Sequence, residues 1–341
     1  MIQMSAVKVL VVDDSLLFRE MLARGLSADK NIEVVATAKD AFDARDKILE
    51  YHPDVMTLDI EMPRMNGLEF LRKLMPQYPI PTIVISGASN SVFEAIQIGA
   101  VDFVKKPEAN SLSARSEFIE DLIVKVKTAV VAKIQKSQRF HPAAVHKNHE
   151  RNISSKVKVI AIGASTGGTV AFANLLTSIE PPLPGIVVVQ HIPPVFSEMF
   201  AKRLNSITPF EVKEAQSGDR ILPGTVLIAP GSQHMQVKKS GMDYFVNCFS
   251  GEKVNGHCPS VDVLFQSVAP LGGQAIGVIL TGMGYDGAKG LLQMRKAGAK
   301  TIGQDEKSCV VYGMPKAAFN IGAVEIEVSL NKIGEKICSF V

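Results

Sequence analysis

The sequence predicts an α/β protein built from two parallel-sheet units, and three observations carry that prediction. Two segments each alternate short apolar runs with helix-like stretches, the pattern of a parallel sheet covered by helices. Between them runs KSQRFHPAAVHKNHERNISSK, Lys136–Lys156, polar and basic with no sustained periodicity, which reads as a linker. Within the second segment MQVKKSGMDYFVNCF, Met235–Phe249, alternates about Ser240-Gly241 and reads as a β-hairpin. The expected organisation is a domain at 1–128, a linker at 129–155 and a domain at 156–341.

Bulk properties narrow the function classes. A chain of 341 residues suggests two or three domains, and 46% hydrophobic with 21% charged residues is an ordinary soluble composition. The net charge of +3 implies no strong global attraction to nucleic acid, and no convincing helix-turn-helix follows the first segment. No apolar run approaches the roughly 18 residues of a membrane span. The start, MIQMSAVKVLVVDDS, lacks the basic opening of a signal peptide. Cys248, Cys258, Cys309 and Cys338 show no CxxC spacing, which fits reduced thiols and argues against zinc. His141, His146 and His149 lie in the linker and read as solvated rather than metal-binding. The expected protein is cytoplasmic, without membrane insertion or a nucleic-acid partner.

In the first segment, strands are expected at Lys8–Asp13, Glu33–Ala38, Val55–Asp59, Thr82–Gly87 and Asp102–Lys106. Asp13 and Asp14 end the first strand and Asp59 the third, so three carboxylates face the crevice where parallel sheets bind ligands. A divalent cation such as Mg²⁺ relieves their repulsion. Ser86 and Lys106 end two further strands and suit a phosphoryl group, with Asp59 as its acceptor. Any one acid there is as readily solvated, and Asp14 or Ser15 is placed to cap the helix at Leu16.

VVDDS, LDIEMPRMNG, VISG and DFVKKP together resemble the signature of two-component receiver domains, over roughly Lys8–Val126. The resemblance implies a flavodoxin-like fold with a five-stranded parallel sheet, phosphorylated at Asp59 by a histidine kinase. It implies Mg²⁺ held by Asp14, Asp59 and the Glu61 carbonyl, with Asp13 acting through water. Ser86 and Lys106 would bind the phosphoryl oxygens, Phe103 would be the switch aromatic, and the Lys106–Pro107 bond would be cis.

In the second segment, strands are expected at Val157–Gly163, Ile186–Gln190, Val226–Ala229, Gly277–Thr281 and Thr301–Gly303. VIAIGASTGGTVAF, Val159–Phe172, brings a strand through a glycine-rich turn into a helix. It fails the dinucleotide pattern, because Ser165 stands where the second glycine belongs, and it lacks the GK[ST] of a Walker loop. It does fit G-x-S-x-G, a turn that presents a serine nucleophile. His191 follows the next apolar strand, and Asp286 lies in the loop after another. Ser165 as nucleophile, His191 as base and Asp286 as orienting acid could meet at one sheet edge. Each also has a structural reading: Ser165 and Asp286 as helix caps, His191 as a bonded core histidine. His234 and His257 remain rival bases.

GASTGG, VVVQHIPPVF, IAPGSQH and LTGMGYDGAKG resemble the catalytic domain of the bacterial chemotaxis protein-glutamate methylesterases, the CheB family, from Val157 to the C-terminus. The resemblance implies a doubly wound α/β domain with a mainly parallel sheet. It assigns Ser165, His191 and Asp286 to a catalytic triad, with oxyanion donors from the backbone near Thr166 and Met283. It implies hydrolysis of γ-glutamyl methyl esters on chemoreceptors, deamidation of receptor glutamines, no cofactor for the ester chemistry, and inhibition by the receiver until Asp59 is phosphorylated. The other reading is a non-catalytic signalling adaptor with a ligand-binding output domain.

Overall fold

The structure is a computed structural model that describes residues 6–87, 90–107, 111–134 and 155–341. Most of the expected linker, with His141, His146 and His149, lies outside the described residues. The chain divides into two units, Met1–Arg139 and Phe140–Val341.

In the first unit the strands are β1 (Val7–Val12), β2 (Ile32–Ala38), β3 (Val55–Asp59), β4 (Thr82–Ser86) and β5 (Asp102–Lys105). The helices are α1 (Leu16–Ser27), α2 (Ala41–Tyr51), α3 (Gly67–Leu74), α4 (Ser91–Ile98) and α5 (Leu112–Val131). The five strands are all parallel, in the order β2-β1-β3-β4-β5. All of β3 and β4 is buried, which explains why they read as continuous apolar runs. Helix starts are written in polar side chains. Ser15 accepts the N–H of Phe18, Asp40 those of Phe42 and Asp43, and Asn66 that of Glu69. Because Ser15 caps α1, Asp14 is left for other work. The order reverses between β1 and β3, so their carboxyl ends, Asp13 and Asp59, flank the switch-point crevice.

The second unit holds β6 (Val159–Ala164), β7 (Gly185–Gln190), β8 (Glu211–Glu214), β9 (Thr225–Ile228), β10 (His234–Ser240), β11 (Asp243–Phe249), β12 (Ala275–Ile279), β13 (Lys300–Gln304) and β14 (Ile326–Val328). Its helices are α6 (Gly168–Thr177), α7 (Phe196–Ile207), α8 (Val261–Val268), α9 (Ala288–Lys296), α10 (Met314–Asn320) and α11 (Leu330–Phe340). Seven strands form a parallel sheet in the order β14-β13-β12-β6-β7-β9-β8, and β10-β11 pair separately as the expected antiparallel hairpin. The central strands β6, β7 and β12 are buried at every residue. Phe172, Phe196, Phe200, Phe210 and Phe265 are fully buried, each contributing roughly 2 kcal/mol or more of hydrophobic stabilisation. This sheet reverses at β6, which lies between β7 and β12. The turn after β6 is therefore the place to look for chemistry. Among the described residues no helix is long and apolar enough to cross a membrane.

Candidate active site and acidic cluster

Strand register assembles the first site. Ala164 pairs with Gln190, and the His191 N–H continues the ladder to the Ala164 carbonyl at 3.1 Å. On the other side Ile279 pairs with Gly163, and the Ser165 N–H donates to the Thr281 carbonyl at 3.0 Å. Three loops thus meet at Ser165. The turn after it is tight. Gly167 sits at φ 79°, a left-handed conformation, and a Cβ there would lie 2.6 Å from Val310 Cγ2. Helix α6 is capped by Gly167 and α9 by Gly287, neither with a side-chain bond, so Ser165 and Asp286 do not cap the helices that follow them.

Asp286 is 1% exposed and accepts five hydrogen bonds. His191 Nε2 donates to Oδ2 at 2.9 Å and the Val261 N–H at 2.7 Å; Oδ1 takes Ser260 Oγ and Asn255 Nδ2, both at 2.8 Å, and the Asp262 N–H at 3.2 Å. Two of these donors are the first amides of α8, whose dipole favours a carboxylate. Burial alone would push the carboxyl up, but the His191, Asn255 and Ser260 bonds outweigh it and hold it well below the usual range. Asp286 is therefore ionised, and His191 Nε2 carries the proton that faces it. The ring's Nδ1 is buried without a hydrogen-bond partner among the described residues. It is thus the nitrogen available as a base, the reverse of the usual template in which Nδ1 faces the acid.

Both rival histidines lie near the His191–Asp286 pair. His234 is buried, its Nε2 donating to the Glu252 carbonyl at 2.9 Å and its Nδ1 accepting the Ser260 N–H at 3.2 Å, so both nitrogens are engaged. His257 lies face to face with His191, ring centroids 3.7 Å apart and planes 14° apart.

Thr166 follows Ser165 in the chain, and Met283 follows Gly282. The Thr166 carbonyl is fixed by Thr281 Oγ1 at 3.0 Å. A Cβ on Gly282 would fall 2.7 Å from Ser165 Cβ, which brings the Met283 backbone alongside the serine. The Met283 N–H has no hydrogen-bond partner among the described residues. Sequence reasoning missed Asn255, Ser260 and Gln190. Gln190 Nε2 donates to the Ser165 and His191 carbonyls at 2.9 and 3.1 Å and ties the two loops together. Ser260, immediately before the apolar run VDVLF, carries a helix-cap signature; Asn255 carries no signal of its own.

In the first unit Asp13, Asp14 and Asp59 place oxygen atoms within 4.8 Å of one another. Asp13 and Asp59 are buried, whereas Asp14 is exposed. Lys106 Nζ lies 2.6 Å from Asp59 Oδ2 and 3.2 Å from Asp13 Oδ2. The Ser15 and Glu61 N–H groups bond Asp13 and Asp59 at 2.9 and 3.1 Å. Burial pushes Asp13 up to about 6, with Lys106 opposing and the Asp59 charge adding. Burial would lower Lys106, but Asp59 and Asp13 outweigh it and raise it. Among the described residues, Asp13 Oδ2 lacks a well-formed hydrogen bond and Ser86 Oγ is buried without a partner. An all-oxygen donor set with under-satisfied carboxylates fits a hard divalent cation. Phe103 is buried, edge-on to Phe93 at 6.3 Å, with Lys125 Nζ 5.3 Å over its ring. The cis bond expected at Lys106–Pro107 is not found: the cis peptide bonds among the described residues precede Pro182 and Pro259.

The chain is similar to known proteins over both units. A family model described as CheB methylesterase matches residues 160–337, and one described as response regulator receiver domain matches residues 9–116. A protein-glutamate methylesterase/protein-glutamine glutaminase of Syntrophomonas wolfei is 55% identical over 335 residues, covering 97% of this chain and 96% of its own. Its namesake in Syntrophotalea carbinolica is 48% identical over 340 residues, covering 97% and 96%. The crystal structure of the Thermotoga maritima CheB methylesterase catalytic domain aligns with a TM-score of 0.53 at 36% identity, over 54% of this chain and 99% of its own. The chain belongs to the CheB methylesterase family and carries a response regulator receiver domain ahead of its catalytic domain.

Proposed function

We propose that the chain is a phosphorylation-activated, cytoplasmic protein-glutamate methylesterase and glutamine deamidase acting on chemoreceptors. The observation that carries the reading is the His191–Asp286 bond at 2.9 Å, with His191 Nδ1 unpaired among the described residues in the loop beside Ser165. Ser165 Oγ attacks the γ-ester carbonyl while His191 Nδ1 takes its proton. Asp286 stabilises the imidazolium, and the N–H groups of Thr166 and Met283 would hold the oxyanion. The same proton leaves with the alkoxide as methanol. Water then attacks the acyl-serine, again through His191, and releases glutamate and free Ser165. For a glutamine, protonation by His191 lets ammonia leave.

Asp59 is the proposed phosphoacceptor, served by a histidine kinase. Asp14, Asp59 and the Glu61 carbonyl would hold Mg²⁺, with Asp13 behind them; the ion supplies charge neutralisation for the phosphoryl group. Lys106 and the Ser86 hydroxyl would take phosphoryl oxygens, and Phe103 would answer through its packing. We place the domain limits at 1–128 and 156–341.

Methanol release from methylated receptor membranes tests this reading, with and without a small phosphodonor. Ser165→Ala should abolish turnover, and Asp59→Ala should abolish the response to phosphodonor while leaving basal turnover. Wild-type turnover by Ser165→Ala, or full stimulation of Asp59→Ala, would refute the corresponding half. A non-catalytic adaptor would release no methanol at all.

A further inference from the structure

We propose that His257 is a positioning residue for the esterase: its imidazole, stacked on His191, holds the base so that Nε2 stays on Asp286 and Nδ1 is left for the nucleophile. The inference rests on the reading of Ser165, His191 and Asp286 given above.

The need for such a residue follows from how His191 is held. Among the described residues, its only side-chain hydrogen bond is the one from Nε2 to Asp286. A bond in the ring plane fixes one direction but lets the ring turn about that axis. Turning carries Nδ1 off the line to its partner while the Asp286 bond survives. A second ring lying flat against the first, at 3.7 Å and 14°, removes that freedom on one face. Catalysis is sensitive to this kind of error, since small misplacements of a reacting group cost large factors in rate.

His257 is itself well anchored. Its backbone N–H donates to the Val254 carbonyl, and the Val254 N–H returns the bond, both at 3.0 Å. The turn they close passes through Asn255 and Gly256 at φ 53° and 85°. Left-handed backbone at a non-glycine residue beside a reactive group is a form of strain that clusters at functional sites. Three residues further on, Ser260 starts α8. A single short stretch therefore grips both partners of the base–acid pair. Asn255 and Ser260 bond Asp286, and His257, between them in sequence, covers His191. Asn255 Nδ2 also donates to Asp262 Oδ2 at 2.7 Å, which ties the turn to the first turn of α8.

Full-length chains carrying His257→Ala, His257→Phe and His257→Leu should be assayed for methanol release, with kcat and KM separated and melting followed in parallel. His257→Ala is expected to lower kcat roughly 10- to 100-fold with KM changed less than about twofold. His257→Phe, which keeps a flat face without an imidazole, should recover to within about threefold of wild type, whereas His257→Leu should not. Wild-type kcat in His257→Ala, or a folded His257→Phe as slow as His257→Leu, would overturn the proposal. The second outcome would mean that the imidazole acts through its nitrogens. If His257→Ala does not fold, the contrast between Phe and Leu decides. Ser165→Ala and His191→Ala run beside them separate the two readings. Their inactivity with an unaffected His257→Ala sinks this inference alone, whereas wild-type turnover in either removes the reading on which it rests.

Discussion

Two buried carboxylates, Asp286 and Asp13, sit at equivalent places in two parallel sheets and behave in opposite ways. Both follow a strand next to a point where the strand order reverses. Asp286 is surrounded by five donors and is held ionised well below the usual range. Asp13 receives one backbone N–H, shares a single ammonium with Asp59, and is pushed up to about 6. The difference lies in satisfaction rather than burial. A carboxylate whose lone pairs are filled by fixed donors is an orienting group with one state. One left short of donors beside another carboxylate is poised to respond to added charge, whether a cation or a phosphoryl group.

The largest expected effect comes from removing the charge of the satisfied member. Asp286→Asn places an amide against His191 Nε2 and favours the wrong tautomer, so kcat should fall roughly 10⁴-fold, measured by methanol release. The same residue contributes to acid sensitivity. Its folded pKa is depressed, so its stabilisation is complete above the ordinary aspartate value of about 4 and is lost as pH falls below it. Asp286→Asn should therefore start less stable near neutrality and lose less stability below about pH 4. Equal acid slopes in urea titrations would show that Asp286 is not held low.

Next in size is Lys106→Met. It leaves Asp13 and Asp59 facing each other without a counter-charge, at a cost of roughly 3 kcal/mol in metal-free buffer. A saturating divalent cation should recover part of that loss. An unchanged urea midpoint would mean the ammonium is not what holds the pair together. Asp13→Asn works the other way. It relieves the repulsion and should raise metal-free stability by about 1–2 kcal/mol, while reducing the stabilisation that Mg²⁺ adds. Thermal melts with and without Mg²⁺ check both signs.

The contrast between these carboxylates was only half legible in the sequence. The strands that place them were readable because buried parallel strands are continuous apolar runs, as in VIAIGA and VMTLD. The edge strands β8 and β14 were not anticipated. Their sequences, EVKE and IEV, are short and charged, as unprotected sheet edges tend to be, and carry no apolar run. Ser165, His191 and Asp286 could be brought together on paper because each follows a strand, and parallel strands end at one edge. Asn255, Ser260 and the stacking of His257 could not. They come from a segment between a hairpin and a helix, where neither period fixes which way a side chain points. Nor could the sequence say which imidazole nitrogen meets Asp286, since that depends on the ring's orientation rather than its place in the chain.

The smallest effect is the most discriminating. Ser260→Ala removes one of the five donors to Asp286 and the side-chain cap of α8. If the low pKa of Asp286 is a property of the whole set, the remaining four donors keep the carboxylate ionised and in place. The expected loss is then about 1 kcal/mol of stability and no more than about threefold in kcat. The Val261 and Asp262 amides are untouched by this substitution and should carry most of what remains. A loss in kcat approaching that of Asp286→Asn would show that the carboxylate hangs on one hydroxyl. It would then resemble Asp13, a group short of donors and governed by the charges beside it, and the distinction between a satisfied and a responsive carboxylate would fail at this site.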